Sequence, residues 1–163
     1  MTRVSSSWIA PVVVAAIAAT LVAGAGMTVT ELGPWYRSLK QPDWTPPDWA
    51  FGVIWTTVFT LTACAAVSSW RRATDDRGAD TLIGLFALNG FLNLLWSFLF
   101  FKLHRPDWAM IEVLALWLSI LALIIISRRY STFAAWLLAP YLLWVTIAAA
   151  LNYQVIALNP PFG

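Results

Sequence analysis

Eleven of the 163 residues are tryptophan, and three of these, Trp55, Trp96 and Trp144, stand well inside apolar runs, with Asn93 one helical turn from Trp96. An indole offers a flat electron-rich face and one N–H donor, and an amide both donates and accepts. Such groups suit the binding of a flat, hydrophobic, aromatic or polycyclic molecule. Acid–base, nucleophilic or phosphate chemistry would need other patterns. The sequence has no Gly-rich phosphate loop, no nucleophile with a paired base and no pair of carboxylates at depth. Cys64 is single and lies in an apolar run, so it makes neither an internal disulfide nor a metal motif. His104 is also single and is expected to be solvated in a turn. No metal and no cofactor are expected.

The elements that must position these residues are membrane helices. The chain is 60% apolar and 11% charged, against roughly a quarter charged in soluble domains. Its net charge of +2 is small, and the basic residues sit in short loops, which gives nucleic-acid binding no support. Five apolar runs, about 8–27, 46–70, 82–101, 108–127 and 133–158, are each long enough to cross about 30 Å of hydrocarbon. The expected fold is therefore all-α, a five-helix membrane bundle forming one domain over 1–163. In the first run Ala15, Ala19 and Ala23 recur every four residues beside Thr20 and Gly24, a small-residue face that lets helices approach closely. Arg3 and the small residues Ala23-Gly24-Ala25 also permit a rival reading of this run as a signal peptide. Pro140 inside the fifth run marks a bend.

Between the first two runs lies Trp35–Trp49, the longest polar interval, holding three tryptophans, a tyrosine and three prolines. Simple connectors are rich in Gly and Ser or poor in aromatics, so this loop is expected to fold back as a lid. Its end, Thr45-Pro46-Pro47-Asp48, predicts the start of the second helix: a capping hydroxyl, prolines in the first turn and a carboxylate at the third position. In that helix Phe51, Trp55 and Phe59 share a face. Residues 71–81 read as a charged loop.

Five spans put the lid, the turn between the third and fourth helices and the C-terminal tail on one side. Trp55 then lies roughly 9 Å inside the bilayer from that side, and Asn93, Trp96, Trp144 and Ala148 fall in the same half. Trp8, Trp70, Trp108 and Trp136 fall at helix ends, as an interfacial belt requires. Polar groups at depth usually face the bundle interior. Asn89 reads as inter-helix glue, while for Asn93 glue and ligand contact are both open. Glu112 is placed to snorkel to the interface, and Asn152 to cap or join helices. Arg3, Arg71, Arg72, Arg77, Arg128 and Arg129 lie on one side against Arg37, Lys40, Lys102 and Arg105 on the other. Six against four puts the N-terminus in the cytoplasm.

Trp35-Tyr36, Leu39, Pro42, Trp44-x-Pro46-Pro47-x-Trp49, Trp55, Asn93-x-x-Trp96, Phe100-Phe101, Trp108, Pro140-Tyr141-x-x-Trp144 and Leu151-Asn152-Tyr153 together resemble the TspO/MBR family. Its members are the bacterial tryptophan-rich sensory proteins and the mitochondrial translocator protein, also called the peripheral benzodiazepine receptor. The resemblance spans nearly the whole chain and implies a retained first helix in a five-helix bundle, often homodimeric, in a bacterial cell membrane, with an outer membrane left open. It implies a cavity for protoporphyrin-like tetrapyrroles or other polycyclic ligands, lined by Trp55, Asn93, Trp96, Trp108, Trp144 and Ala148, with Trp44 and Pro47 in the lid. Some bacterial members degrade porphyrin under light, and the matching residues here are Trp55 and Trp144. The alternative role is transport of such ligands. The family's sterol motif is incomplete: Leu151 and Tyr153 are present, but no Lys or Arg follows, which makes sterol the weaker ligand.

Overall fold

The computed structural model describes residues 9–30, 32–159, 161 and 162, without the side chains of 10, 11, 27 and 29. Trp8 and Arg3 lie outside the described residues. The chain forms α1 (Ile9–Val29), a short α2 (Pro34–Ser38), α3 (Asp48–Arg72) and α4 (Asp76–Ser97), which passes into a π turn at Phe98–Lys102. Helices α5 (Pro106–Tyr130) and α6 (Thr132–Leu158) follow. Among the described residues, four helices are long and apolar enough to cross a membrane: α3, α4 with its π turn, α5 and α6. Helix α1 adds the shorter apolar segment Val12–Gly26. The protein is an integral, multi-pass, all-α membrane protein.

Large apolar side chains point outward where lipid would surround them, among them Ile111, Leu114, Leu118, Trp136 and Leu143. Leu116, Ile120 and Leu123 of α5 meet Leu138, Tyr141 and Val145 of α6 in the core. Helix α1 packs on α3 and α4, and at Gly90 an added Cβ would stand 3.3 Å from Val22 Cγ2, so glycine permits that approach.

Polar side chains then tie helices together. Asn89 Nδ2 donates to Ser119 Oγ at 2.9 Å, linking α4 to α5. Asn93 Nδ2 donates to Tyr141 Oη at 3.1 Å, linking α4 to α6. Trp117 Nε1 donates to Thr146 Oγ1 at 2.9 Å. The Asn152 amide, oriented to satisfy both neighbours, donates to the Pro106 carbonyl and accepts from the Met110 N–H, at 3.1 and 3.2 Å. Asn152 is thus an inter-helix contact.

Three local features differ from the sequence reading. The charged segment 71–81 is not all loop, because α4 begins at Asp76 behind Asp75, whose carboxylate accepts from Gly78 N at 2.6 Å. That N-cap lets the helix start in water before the apolar run does. Helix α3 begins at Asp48 rather than Pro46, with Pro47 at its N-cap and no side-chain cap. Thr45 Oγ1 instead donates to the Pro42 carbonyl at 2.7 Å and closes a turn of the lid. Glu112 does not snorkel: its side chain is buried in the bundle. Helix α6 continues through Pro140.

Candidate functional site

The lid is tied down at three points. Lys40 N donates to Asn159 Oδ1 at 2.9 Å, and Asn159 Nδ2 donates back to the Lys40 carbonyl at 3.1 Å. Trp44 Nε1 donates to Gln154 Oε1 at 3.0 Å. Trp35 stacks on His104, with ring centroids 4.1 Å apart. Two of these ties reach the last turns of α6 and one reaches the turn after α4. That turn has an unusual backbone. The π turn closes with Leu103 N to the Phe98 carbonyl at 3.0 Å, and His104 takes φ 53°, a left-handed conformation that ends the helix. The wider turn leaves the consecutive Phe100 and Phe101 both buried. Phe100 stacks on Trp96 at 5.4 Å, and Phe101 meets Tyr36 of the lid at 5.7 Å. Burial raises the Tyr36 phenol pKa above its ordinary value, and the nearby Asp48 carboxylate adds to this.

Beneath the lid the deep tryptophans converge. Trp55 of α3 and Trp144 of α6 meet edge to face at 6.3 Å. Trp55 also stacks on Phe59 at 5.3 Å and touches the edge of Tyr141 at 6.2 Å. Trp96 (9% exposed) and Trp144 (6% exposed) are buried, yet each indole N–H lacks an acceptor, as does Gln41 Nε2. These are buried donors, and a buried donor without a partner is costly.

The space enclosed here is small. A cavity of about 40 Å³ lies under the lid, bordered by Tyr36, Gln41, Phe51, Trp96, Ala148 and Asn152. Small-molecule pockets usually measure about 300–1,000 Å³, so the site is closed. Phe51 joins its two parts: it lines the cavity and sets its ring against Trp144 at 5.8 Å.

The structure brings together Trp55, Asn93, Trp96, Trp144 and Ala148 in the upper half of the bundle. Asn93 is already bonded to Tyr141, which favours its role as glue. Trp44 is half-exposed and works as a lid tie. Pro47 is on the surface. Trp108 is not part of the cluster: it is 48% exposed, with the Arg105 guanidinium 4.3 Å above its ring, an interfacial arrangement. Gln41 and Gln154 join the site although nothing in their sequence context marks them. Phe51 joins it too, and its four-residue spacing from Trp55 puts both on one face of α3.

The TspO/MBR family profile matches residues 10–158. Protein CrtK of Rhodobacter capsulatus is 36% identical over 138 residues, covering 85% of this chain and 86% of that one. Tryptophan-rich protein TspO of Chlorobaculum tepidum is also 36% identical, over 142 residues, with 85% and 87% covered. The translocator protein of Ovis aries is 34% identical over 122 residues, with 74% and 72% covered. With a match from α1 to the end of α6, the chain belongs to the TspO/MBR family.

Proposed function

We propose that this protein is a membrane receptor for a flat polycyclic ligand of the tetrapyrrole class, held among the indoles beneath the lid. The observation that carries this reading is the contact of Trp55 with Trp144, and of Trp96 with Phe100, under a hydrogen-bonded aromatic lid. Indole and phenyl faces offer stacking to an extended ring system. The unpartnered N–H groups of Gln41, Trp96 and Trp144 offer bonds to acceptor atoms at the ligand's rim. Because the closed cavity is about 40 Å³, binding requires the lid and Phe51 to move.

Protoporphyrin is the probe. Titrated into the protein in detergent, it quenches tryptophan fluorescence saturably at low-micromolar concentration in this reading. Trp55→Phe with Trp144→Phe weakens that binding. Saturable binding indifferent to both changes removes this site. Light-dependent degradation of the bound porphyrin is a further activity in the same reading, with Trp55 and Trp144 as the indoles in contact with the excited ring. It is read as loss of porphyrin absorbance under illumination, compared between the wild type and the double variant. The sheep relative carries the name translocator protein, so transport is the second reading. Proteoliposome flux separates the two, since a receptor that only senses gives none. Arg71, Arg72, Arg77, Arg128 and Arg129 gather at the end of the bundle away from the lid, which supports a cytoplasmic N-terminus in a bacterial cell membrane. A homodimer is the assembly proposed.

A further inference from the structure

A cavity much larger than the one under the lid lies elsewhere in the described residues. It is a groove of about 790 Å³ between α1 and α3, running along α3 from Thr56 to the arginines at the end away from the lid. Its walls include Ala15, Ala19 and Ala23 on α1 and Thr60, Ala63 and Cys64 on α3. The small-residue face of α1 therefore does not close tightly on its neighbour. The threonines do not make the groove polar. Thr20 Oγ1 donates to the Ala16 carbonyl, Thr56 to Gly52 and Thr60 to Thr56, each at 2.8 Å, so each hydroxyl proton is used within its own helix. An occupant meets hydrocarbon along most of the length.

One end is different. Arg71 and Arg72 line the groove at the last turn of α3. Arg72 Nη1 donates to Ser68 Oγ at 2.7 Å and to Ser131 Oγ at 2.8 Å. Ser131 is itself fixed as the cap of α6, accepting from Ala134 N at 3.1 Å. The guanidinium is thus oriented by two hydroxyls while keeping further N–H donors for an acceptor. From Thr56 to Arg71 the groove runs 15 residues along α3, about 22 Å at the helical rise. That exceeds the ~15 Å depth of one leaflet's hydrocarbon.

We propose that this groove is a binding site for an anionic phospholipid. Its headgroup phosphate sits on Arg71 and Arg72, and one acyl chain lies along α1 and α3 as far as Phe59. A charged mouth and an apolar trough of leaflet length match both parts of such a molecule. A second copy of the chain would use the trough without using the oriented arginine. The chain's end also touches the ligand half, because Phe59 borders the groove and stacks on Trp55 at 5.3 Å.

The test is native mass spectrometry of the full chain released from nanodiscs of mixed phosphatidylglycerol and phosphatidylcholine. Two arginine contacts with an anionic headgroup predict about thirtyfold preferential retention of phosphatidylglycerol. Arg71→Gln with Arg72→Gln removes the preference. Ala19→Trp fills the trough without altering charge and removes the retained lipid. Equal retention of the two lipids by the wild type overturns the proposal and needs no variant. So does a preference that persists in Ala19→Trp, which would place the lipid on the arginines outside the groove. Covalent dimers formed through Cys64 in the membrane would show a second copy there and overturn it as well.

Discussion

The two ends of the bundle are built from opposite materials. At the lid end, aromatic rings from α2, α3, the π turn and α6 fill the space so well that about 40 Å³ remains. At the arginine end, alanines leave a groove of about 790 Å³ open between α1 and α3. An aromatic site rests shut because its own rings stack when no ligand separates them, and the lid's hydrogen bonds hold that state. A small-residue site has nothing to fill itself with, and only lipid or another helix can fill it. The first is expected to gate and the second to stay occupied.

The comparison can be broken in graded ways. The largest effect belongs to Trp55→Phe with Trp144→Phe. It should weaken protoporphyrin binding about tenfold, since an aromatic contact carries about 0.5–1.5 kcal/mol beyond its area, and fluorescence or absorbance titration reads it. Next is Asn93→Ala, which strips a buried partner from the Tyr141 hydroxyl. A loss of about 1 kcal/mol in unfolding from detergent is expected, within the range for polar contacts between membrane helices. Asn89→Ala should cost less, about 0.6 kcal/mol, the average for polar contacts between membrane helices. Asn159→Ala removes two bonds to Lys40. It should speed porphyrin association several-fold with little change in stability, in stopped-flow quenching. Trp108→Phe should change neither binding nor stability by more than about 0.5 kcal/mol, because its ring faces outward. A large binding loss there would return Trp108 to the site.

Much of this architecture is legible in the sequence, because lipid demands long apolar runs and internally bonded backbone. That Trp55, Trp96 and Trp144 lie toward the lid end of the bundle also follows from counting along alternating spans. Other features leave less trace. Hydropathy marks where lipid begins, not where a helix begins, so it does not show the capped start of α4 at Asp76. The Phe98–Lys102 π turn contains neither Pro nor Gly, and nothing in its composition announces the wider turn that buries Phe100 and Phe101 together. Trp108 shares its residue type with the site, but its direction depends on the rotation of α5, which spacing alone does not set. Whether the cavity stands open or shut depends on how all these rings pack at once.

The central claim is that ligand reaches the indoles only when the lid is displaced. A disulfide between Lys40→Cys and Asn159→Cys, in a Cys64→Ser background, would lock the observed tie. Protoporphyrin quenching should then be lost in the oxidised protein and return on reduction. Equal quenching in both states would contradict the account.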